Sequence, residues 1–377
     1  MAAPSLPDAA VGLGSRIGRY FSVVSVLPAL FLVVWTAALV TSNAWQGRPD
    51  LGLMARRLGG LNLGGAAWLI LITILVALFL HPLQLGMTRL LEGYWGSSRL
   101  ATVLLRLRIT RYRRRLERLE DRSDALEERR DQELDRLRIA AYEAALAEGE
   151  DDEPDPAKLT GSKLDDSREA MLETAEAEGL SGIHAARAAI PRARSRYPVV
   201  SRMMPTRLGN ALRSAEDKVG KQYRLEVIKT APHIALIAPE SHLNYVDDAR
   251  QQLDTSARLC VVALVVTAET VAFLLTGGWW LLLALGPYFL AYIAYRASVA
   301  AAEQYMGIIG TVLDLNRFKL YESLHVNLPR NSYEERSSNL RLMELLNGST
   351  EVSVLYKHPA AGNPGTGATP STPPGTP

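Results

Sequence analysis

The pattern of apolar and polar positions divides this chain into four long apolar blocks and a charged middle third. A bilayer core about 30 Å thick requires roughly 20 apolar residues of helix, because each residue rises about 1.5 Å. Four segments reach this length and predict transmembrane helices: Tyr20 to Ser42, Leu61 to Leu83, Ala257 to Thr276 and Trp279 to Ala300. The fourth carries small residues at every fourth position, which favours close helix packing inside a membrane; they are Ala294, Ser298 and Ala302.

Arranged as two hairpins, these spans place the N-terminus, the central region and the C-terminus on one side of the membrane. Arginines flank the spans on that side, and the positive-inside rule therefore predicts that it is cytoplasmic and that the spans cross the plasma (inner) membrane. The flanking residues are Arg16, Arg19, Arg89, Arg99, Arg250, Arg258 and Arg296. Three arginines of the predicted outer loop oppose this orientation, namely Arg48, Arg56 and Arg57.

The charged middle third begins with a long predicted helix that carries a coiled-coil pattern. From Leu105 onward, apolar residues recur at the a and d positions of a heptad repeat until Arg130 and Glu133 interrupt it. This face is a candidate association surface between copies of the chain and predicts a homo-oligomer. An antiparallel helical hairpin is the alternative. The surface consists of Ile109, Tyr112, Leu116, Leu119 and Leu126.

Seven arginines precede the first acidic cluster of the same helix and lie close in sequence to the second span. Arginines near an anionic leaflet each gain roughly 1 kcal/mol of attraction, so this cluster is a candidate contact for lipid headgroups. The alternative is a solvated helix face whose arginines pair with the glutamates further along. The cluster comprises Arg106, Arg108, Arg111, Arg113, Arg114, Arg115 and Arg118.

The rest of the pattern completes an all-α protein with four transmembrane helices, arranged as two hairpins, and a helical, partly coiled-coil cytoplasmic region. Thr206 is predicted to cap a helix, Pro329 to stop another, and Ser332 with Glu335 to form the capping box of the last helix. The predicted segments are an N-terminal segment (1–19), the first hairpin (20–85), the long charged helix (86–147), an acidic disordered linker (148–168), a cytoplasmic helical module (169–256), the second hairpin (257–300), C-terminal helices (301–348) and a disordered tail (349–377).

Composition narrows the functional classes further. Of the 377 residues, 48% are hydrophobic and 22% charged, and the formal net charge of +2 is too small to indicate a nucleic-acid-binding protein. The six histidines show no metal-ligand spacing, and no nucleophile elbow, dinucleotide-binding loop or phosphate-binding loop is present. The sequence therefore predicts no enzyme, no cofactor and no metal site. A single cysteine, Cys260, excludes a disulfide within the chain.

Three short pieces carry a resemblance to known proteins: "LLEGYWG", "PTRLGNALRSAED" and "VLDLNRFKLYESLHVNLP". In these pieces the chain resembles a group of actinobacterial multi-pass integral membrane proteins. The resemblance implies a membrane protein but no activity and no site residues. Separately, the order of two spans, a helical cytoplasmic region and two further spans is similar to the layout of bestrophin-type anion channels, in topology alone.

One acidic residue, Glu269, lies inside the third apolar block and is the candidate intramembrane polar site. An ionised acid facing lipid at the bilayer centre would cost roughly 2.5 kcal/mol or more, so a lipid-facing carboxylate is excluded. Two hypotheses remain. Glu269 is protonated and hydrogen-bonds to a neighbouring span, or it faces a wet cavity where copies form an acidic ring that favours cations.

These features support two classes of function. The first is a non-enzymatic oligomeric scaffold or interaction protein that contacts membrane lipids and presents a cytoplasmic helical module to a protein partner. The alternative is an oligomeric ion channel or transporter lined by the third span. The scaffold is favoured, because a helix that lines a pore usually carries more than one polar residue.

Overall fold

The computed structural model describes residues 23–147 and 181–357, and these residues form an all-helical protein. Within the described residues there is no strand, only an isolated bridge between Val326 and Tyr356. The ten α-helices are α1 (Val23–Thr41), α2 (Leu51–Gly59), α3 (Leu63–Glu92), α4 (Arg99–Ala147), α5 (Ser181–Arg194), α6 (Arg207–Tyr223), α7 (Val227–Ile237), α8 (Glu240–Phe273), α9 (Leu285–Ser323) and α10 (Ser332–Leu346).

Three described helical segments are long and apolar enough to cross a membrane, which confirms the prediction of a membrane protein. They are α3, α8 and the segment Gly278–Ser323, in which a 3-10 turn at Gly278–Ala284 leads into α9. The predicted first span corresponds to α1, a shorter apolar helix over the residues that the structure describes. The predicted linker 148–168 and segment 1–19 lie outside the described residues.

The described residues form two compact units. One comprises the described residues up to Asp217 together with Tyr245–Ile308, and we call it the membrane unit. The other comprises Lys218–Asn244 and the described residues from Ile309 onward, and we call it the C-terminal unit.

The membrane unit packs α1, α3 and α8 around a shared apolar cluster. Ala29, Leu80, Val262 and Val266 are each less than one tenth exposed there, and they bring all three helices into contact. The outward face of α3 remains apolar and exposed, as Trp68 shows, and this is the surface that a lipid environment requires. Helices α1, α3 and α8, which correspond to the first three predicted spans, therefore pack together in this unit.

The loops of the two predicted hairpins meet at one end of the membrane unit. Leu39 and Ala44, at the end of α1, pack against Leu274, at the end of α8. A Cβ atom on Gly277 would lie 2.5 Å from the carbonyl oxygen of Gly47, so the two loops approach backbone to backbone. The loop after α1 and the loop after α8 consequently lie at the same end of this unit.

The small residues of the fourth span also pack as predicted. Ala294 and Ala302 belong to a buried cluster with Ala257 and Cys260 of α8. Ser298 is fully buried between them, and its hydroxyl donates to the Ala294 carbonyl at 2.8 Å. Side chains this small allow α8 and α9 to approach closely.

The predicted outer loop contains a helix that the sequence pattern did not indicate. Asp50 caps α2 by accepting a hydrogen bond from the Leu53 amide at 2.9 Å. Arg57, on the last turn of α2, donates to the Thr41 carbonyl and to the Asn43 side chain, both at 3.2 Å. A cation at the C-terminal end of α1 complements the helix dipole, so Arg57 has a local structural role there.

Pro82 lies inside α3 and does not end it. Helix α3 continues through Pro82 to Glu92 and ends at Gly93, whose φ of 109° is in the left-handed region. The region after the predicted span therefore begins as two to three further turns of the same helix.

Helices α4 and α5 form an antiparallel pair within the membrane unit. Arg187 pairs with Glu127 at 3.1 Å and Arg194 with Glu120 at 3.3 Å, so sequence numbers rise along one helix as they fall along the other. The contact continues where Leu116 packs with residues that follow α5. The helical hairpin that the sequence left as an alternative is thus formed inside one chain.

The C-terminal unit has a polar interior built from the end of α9 and from α10. Asn316, Tyr321 and Asn339 are each at most 1% exposed. The Tyr321 hydroxyl donates to the Asn339 side chain, and the Asn339 amide donates to the Tyr223 carbonyl at 2.8 Å. This hydrogen-bonded network holds α9 and α10 to the end of α6.

Two predicted helix boundaries in this unit are wrong by a few residues. Asn331, not Ser332, caps α10 by accepting from the Glu334 amide at 2.8 Å, so Glu335 is free for another partner. Helix α9 ends at Ser323, before Pro329, because His325 adopts a positive φ of 54°. The first residues of the predicted tail are described, and the Lys357 amide donates to the His325 carbonyl at 2.6 Å.

Candidate functional site

Glu269 lies on α8 and contacts the first helix of the same chain. The Thr36 hydroxyl donates to the Glu269 carboxyl at 3.0 Å, and the glutamate is half-buried. One residue away on each helix, the Trp35 indole donates to the Thr270 hydroxyl at 2.9 Å. Two adjacent polar side chains of α1 therefore bond to two adjacent side chains of α8.

The hydroxyls beside Glu269 are satisfied by their own helix. Thr270 donates to the Val266 carbonyl at 2.6 Å and Thr267 to the Ala263 carbonyl at 2.7 Å. Sequence reasoning did not identify the partners from α1. The signal was the pair Trp35-Thr36, which places two hydrogen-bonding groups inside an otherwise apolar block.

A second polar contact joins α3 and α8 closer to the charged regions. Arg258 is 6% exposed, and its guanidinium donates to the Gln84 side chain. One turn earlier on α8, Asp254 accepts from Thr88 at 3.5 Å and pairs with Arg250 at 3.7 Å. Arg258, predicted only as a flanking charge, is thus a buried interhelical contact.

The end of α3 and the start of α6 interlock through backbone contacts. The Thr206 hydroxyl donates to the Glu92 carbonyl at 2.6 Å and accepts from the Gly209 amide at 3.0 Å. It thereby satisfies an orphan carbonyl of one helix and an orphan amide of the other. Asn210 closes the loop before α6, because its side chain both accepts from and donates to the Met204 backbone, at 2.8 and 2.9 Å.

Two glycines make this junction possible. A Cβ atom on Gly209 would lie 2.8 Å from Met204 Cβ and closer still to the Glu92 carbonyl oxygen. Gly93, with its positive φ, lies directly against Pro205, where a Cβ atom would meet the ring at 2.5 Å. The sequence pieces "LLEGYWG" and "PTRLGNALRSAED" are therefore two halves of one contact.

Charged side chains continue this junction outward. Arg213 donates to the Tyr94 hydroxyl at 2.7 Å and pairs with Glu216 at 3.0 Å. Arg202 pairs with the same Glu216 at 2.5 Å and with Asp217. The two carboxylates are at most 16% exposed at their side chains, so this network is shielded from solvent more than a typical surface ion pair.

The candidate association surface on α4 faces the same chain. Tyr112 and Leu116 are less than one tenth exposed and pack with Met203, while Ile109 and Tyr197 complete the cluster. Burial raises the pKa of the Tyr112 phenol above its ordinary value. Leu119 and Leu126 are partly buried on the same face.

The candidate headgroup contacts lie on the same stretch of α4, mostly outside this buried cluster. All of the seven arginines are exposed except Arg115, which is half-buried with its guanidinium 5.8 Å from the Tyr112 ring centroid. These arginines are accordingly accessible to an anionic surface.

The described residues hold no cluster of three or more His, Cys, Asp or Glu side chains suited to a metal ion. What the described polar side chains do is join helices: α1 to α8, α3 to α8, and α3 to α6. Comparison with known proteins adds no activity to this geometry. The chain matches no family model, no curated protein and no solved structure.

Proposed function

We propose that this protein is a non-enzymatic membrane scaffold, in which four transmembrane helices carry helices outside the membrane as a fixed platform for protein partners. The observation that carries this proposal is the junction between α3 and α6. Thr206 bridges the two helices, and Gly209 allows backbone approach. A membrane helix joined this tightly to a following helix holds it at a defined orientation, as a platform requires.

The C-terminal unit supplies surface for a partner. Leu236, Tyr333 and Leu355 are 87%, 81% and 79% exposed there. We propose that these exposed apolar side chains are available for contact with another protein. We infer a cytoplasmic protein partner on this unit and, on the membrane side, anchoring by lipids.

We infer that the N-terminus, the central region and the C-terminus lie in the cytoplasm and that the spans lie in the plasma membrane. The support is the arginine distribution around the spans, together with the local role of Arg57 in the opposing loop. A cysteine at exposed Glu128 should stay unlabelled by an impermeant reagent in intact cells, whereas one at exposed Trp45 should react. The reverse pattern would exclude this orientation.

The alternative is an oligomeric channel lined by α8. Its support is Glu269, a carboxyl group in an apolar helix. Two observations oppose this alternative. Helix α8 packs with α1, α3 and α9, and the Glu269 carboxyl group accepts a hydrogen bond from Thr36. The buried face of α8 is thus committed to helix contacts and not to a lumen.

Replacing Glu269 with glutamine separates the two functions. The amide retains an acceptor for Thr36 and removes the charge, so a scaffold should keep its thermal stability within about 1 kcal/mol and conduct no ions. Ion flux through vesicles containing the unmodified protein is the measurement. Cation flux that Glu269→Gln alters would establish the channel and contradict the scaffold, and Thr36→Val is the matched control that removes the donor instead.

The association surface gives a further test, of assembly. Because Leu116 packs against Met203 within the chain, we expect Leu116→Glu with Leu119→Glu to open the α4 and α5 pair while leaving the particle mass unchanged. Burying a carboxylate there should lower stability by about 3 kcal/mol. Native mass measurement decides: a shift to smaller particles would show that this face joins copies of the chain. Ala125→Glu, at an exposed position of the same helix, is the control.

A further inference from the structure

Helix α4 has a second apolar face, on the side away from the one that packs within the chain. Leu100, Val103, Leu104 and Leu107 are 80%, 55%, 53% and 64% exposed. Their spacing of three, four and seven residues places them on one side of the helix. The buried residues Tyr112 and Leu116 lie roughly on the opposite side, since each residue turns the helix by about 100°.

The same side of α4 becomes basic where its apolar residues end. Arg111 follows Leu107 by one turn, and Arg114 and Arg118 continue the row at the same helical spacing. All three arginines are exposed. The face therefore combines a short apolar stripe with a row of cations, which is the composition of helices that lie in the interface of anionic membranes.

The position of this face in the chain also favours a membrane. Only the segment 93–98 separates α4 from α3, which is one of the helices able to cross a bilayer. Within that segment Tyr94 is half-exposed, and tyrosine is enriched at the headgroup level. The stripe thus begins within a few residues of the end of a predicted span.

We propose that the first five to six turns of α4 dock on the membrane surface, with Leu100, Val103, Leu104 and Leu107 inserted among the acyl chains and Arg111, Arg114 and Arg118 bound to anionic lipid headgroups. This inference rests on the proposed membrane insertion of α3 and α8. It assigns anionic lipid headgroups as the ligand of Arg111, Arg114 and Arg118, and not of the other four arginines in the cluster. It also gives the platform a second attachment to the bilayer.

The test uses the full-length protein in vesicles of either neutral phosphatidylcholine or the same lipid with phosphatidylglycerol. A fluorophore on Leu104→Cys reports the stripe, and one on Asp121→Cys, about 25 Å further along the helix, is the control position. Cys260 is buried, and the unmodified protein controls for its labelling. Brominated acyl chains quench a probe that enters the bilayer, and iodide quenches one that stays in water.

In anionic vesicles we expect bromolipid quenching at position 104 and iodide quenching at position 121. The double change Arg111→Glu with Arg114→Glu should lower the ratio of docked to free probe at least about 25-fold, because each arginine contributes roughly fivefold and each new glutamate is repelled by the anionic surface. Arg122→Glu with Arg129→Glu makes the same charge change further along α4 and should have little effect.

Two outcomes would overturn the docking. One is iodide quenching at position 104 in anionic vesicles. The other is a probe at position 104 that is protected from iodide, but whose quenching changes neither with lipid charge nor with Arg111→Glu and Arg114→Glu. That result would show that a protein surface covers the stripe. Flotation after alkaline carbonate treatment reports insertion of the spans separately. A protein that floats but leaves position 104 in water contradicts the docking alone, and one that does not float contradicts the proposed function.

Discussion

Replacing Gly209 with alanine is expected to destabilise the membrane unit by about 3 kcal/mol, the upper part of the range for an overpacked site. The new methyl group would meet the Glu92 carbonyl oxygen and, at 2.8 Å, the Cβ atom of Met204. Neither obstacle is the end of a flexible side chain, so the backbones of α3 and α6 must separate. That separation would also break the hydrogen bond from Thr206 to Glu92.

Thermal unfolding in detergent, followed by tryptophan fluorescence, measures this effect. Gly86→Ala is the matched control, because Gly86 is also helical and a Cβ atom there meets no atom within 4 Å. Alanine favours a helix over glycine by up to about 1 kcal/mol, so the control should be neutral or more stable. If Gly209→Ala were as stable as Gly86→Ala, the interlocked junction would not exist as described.

The helices were largely predictable because their signals are local. Apolar length predicted α3 and α8, and Thr206 signalled the start of α6 through a hydroxyl that accepts from an amide three residues later. The helix boundaries that were predicted wrongly also depend on local sequence, but there neighbouring residues compete for the same capping position. Asn331 and Ser332 are both good caps, and only the backbone of the folded chain shows that Asn331 accepts the hydrogen bond.

The contacts of the site were not predictable, because they join residues far apart in the chain. Thr36 and Glu269 lie on separate apolar blocks, and no pattern within either block names the other. The junction likewise unites Glu92 with Thr206 across the charged middle third. Sequence spacing identified Glu269 as unusual, but a single sequence carries no information on which of the other spans faces it.

The a and d pattern of α4 likewise does not identify the residues that cover it. Tyr112 and Leu116, two of the positions in that pattern, are buried. A heptad pattern states only that a partner covers the face, not whether that partner belongs to the same chain. Met203 and Tyr197, which cover it here, follow a separate helix and carry no heptad signal of their own.

Replacing Glu335 with leucine is expected to have the largest effect in the C-terminal unit, a loss of about 3 kcal/mol. Glu335 is 6% exposed and pairs with Arg317 Nε at 2.8 Å. The Arg317 guanidinium is enclosed by aromatic rings, 4.8 Å from the Tyr223 centroid and 4.4 Å from that of Phe318. Removing the carboxylate leaves a largely buried cation without its anion.

The double change Arg317→Met with Glu335→Leu provides the discriminating comparison. It removes both charges and keeps apolar volume, and such replacements of a buried pair are often neutral, so we expect stability within about 1 kcal/mol of the unmodified protein. The exposed pair of Lys229 and Glu226, at 2.6 Å in the same unit, is the control, and Glu226→Leu should cost less than about 1 kcal/mol.

Hydrogen exchange of the α10 amides in the full-length protein measures the effect, since a loss of 3 kcal/mol lowers their protection by roughly 100-fold. If Glu335→Leu reduced protection no more than Glu226→Leu does, the α10 contact would depend on Asn339 and apolar packing rather than on this ion pair. If instead the single change is severe and the double change restores protection, the cost arises from the uncompensated Arg317 charge, and the pair orients α10 on α9 without being the main source of its stability.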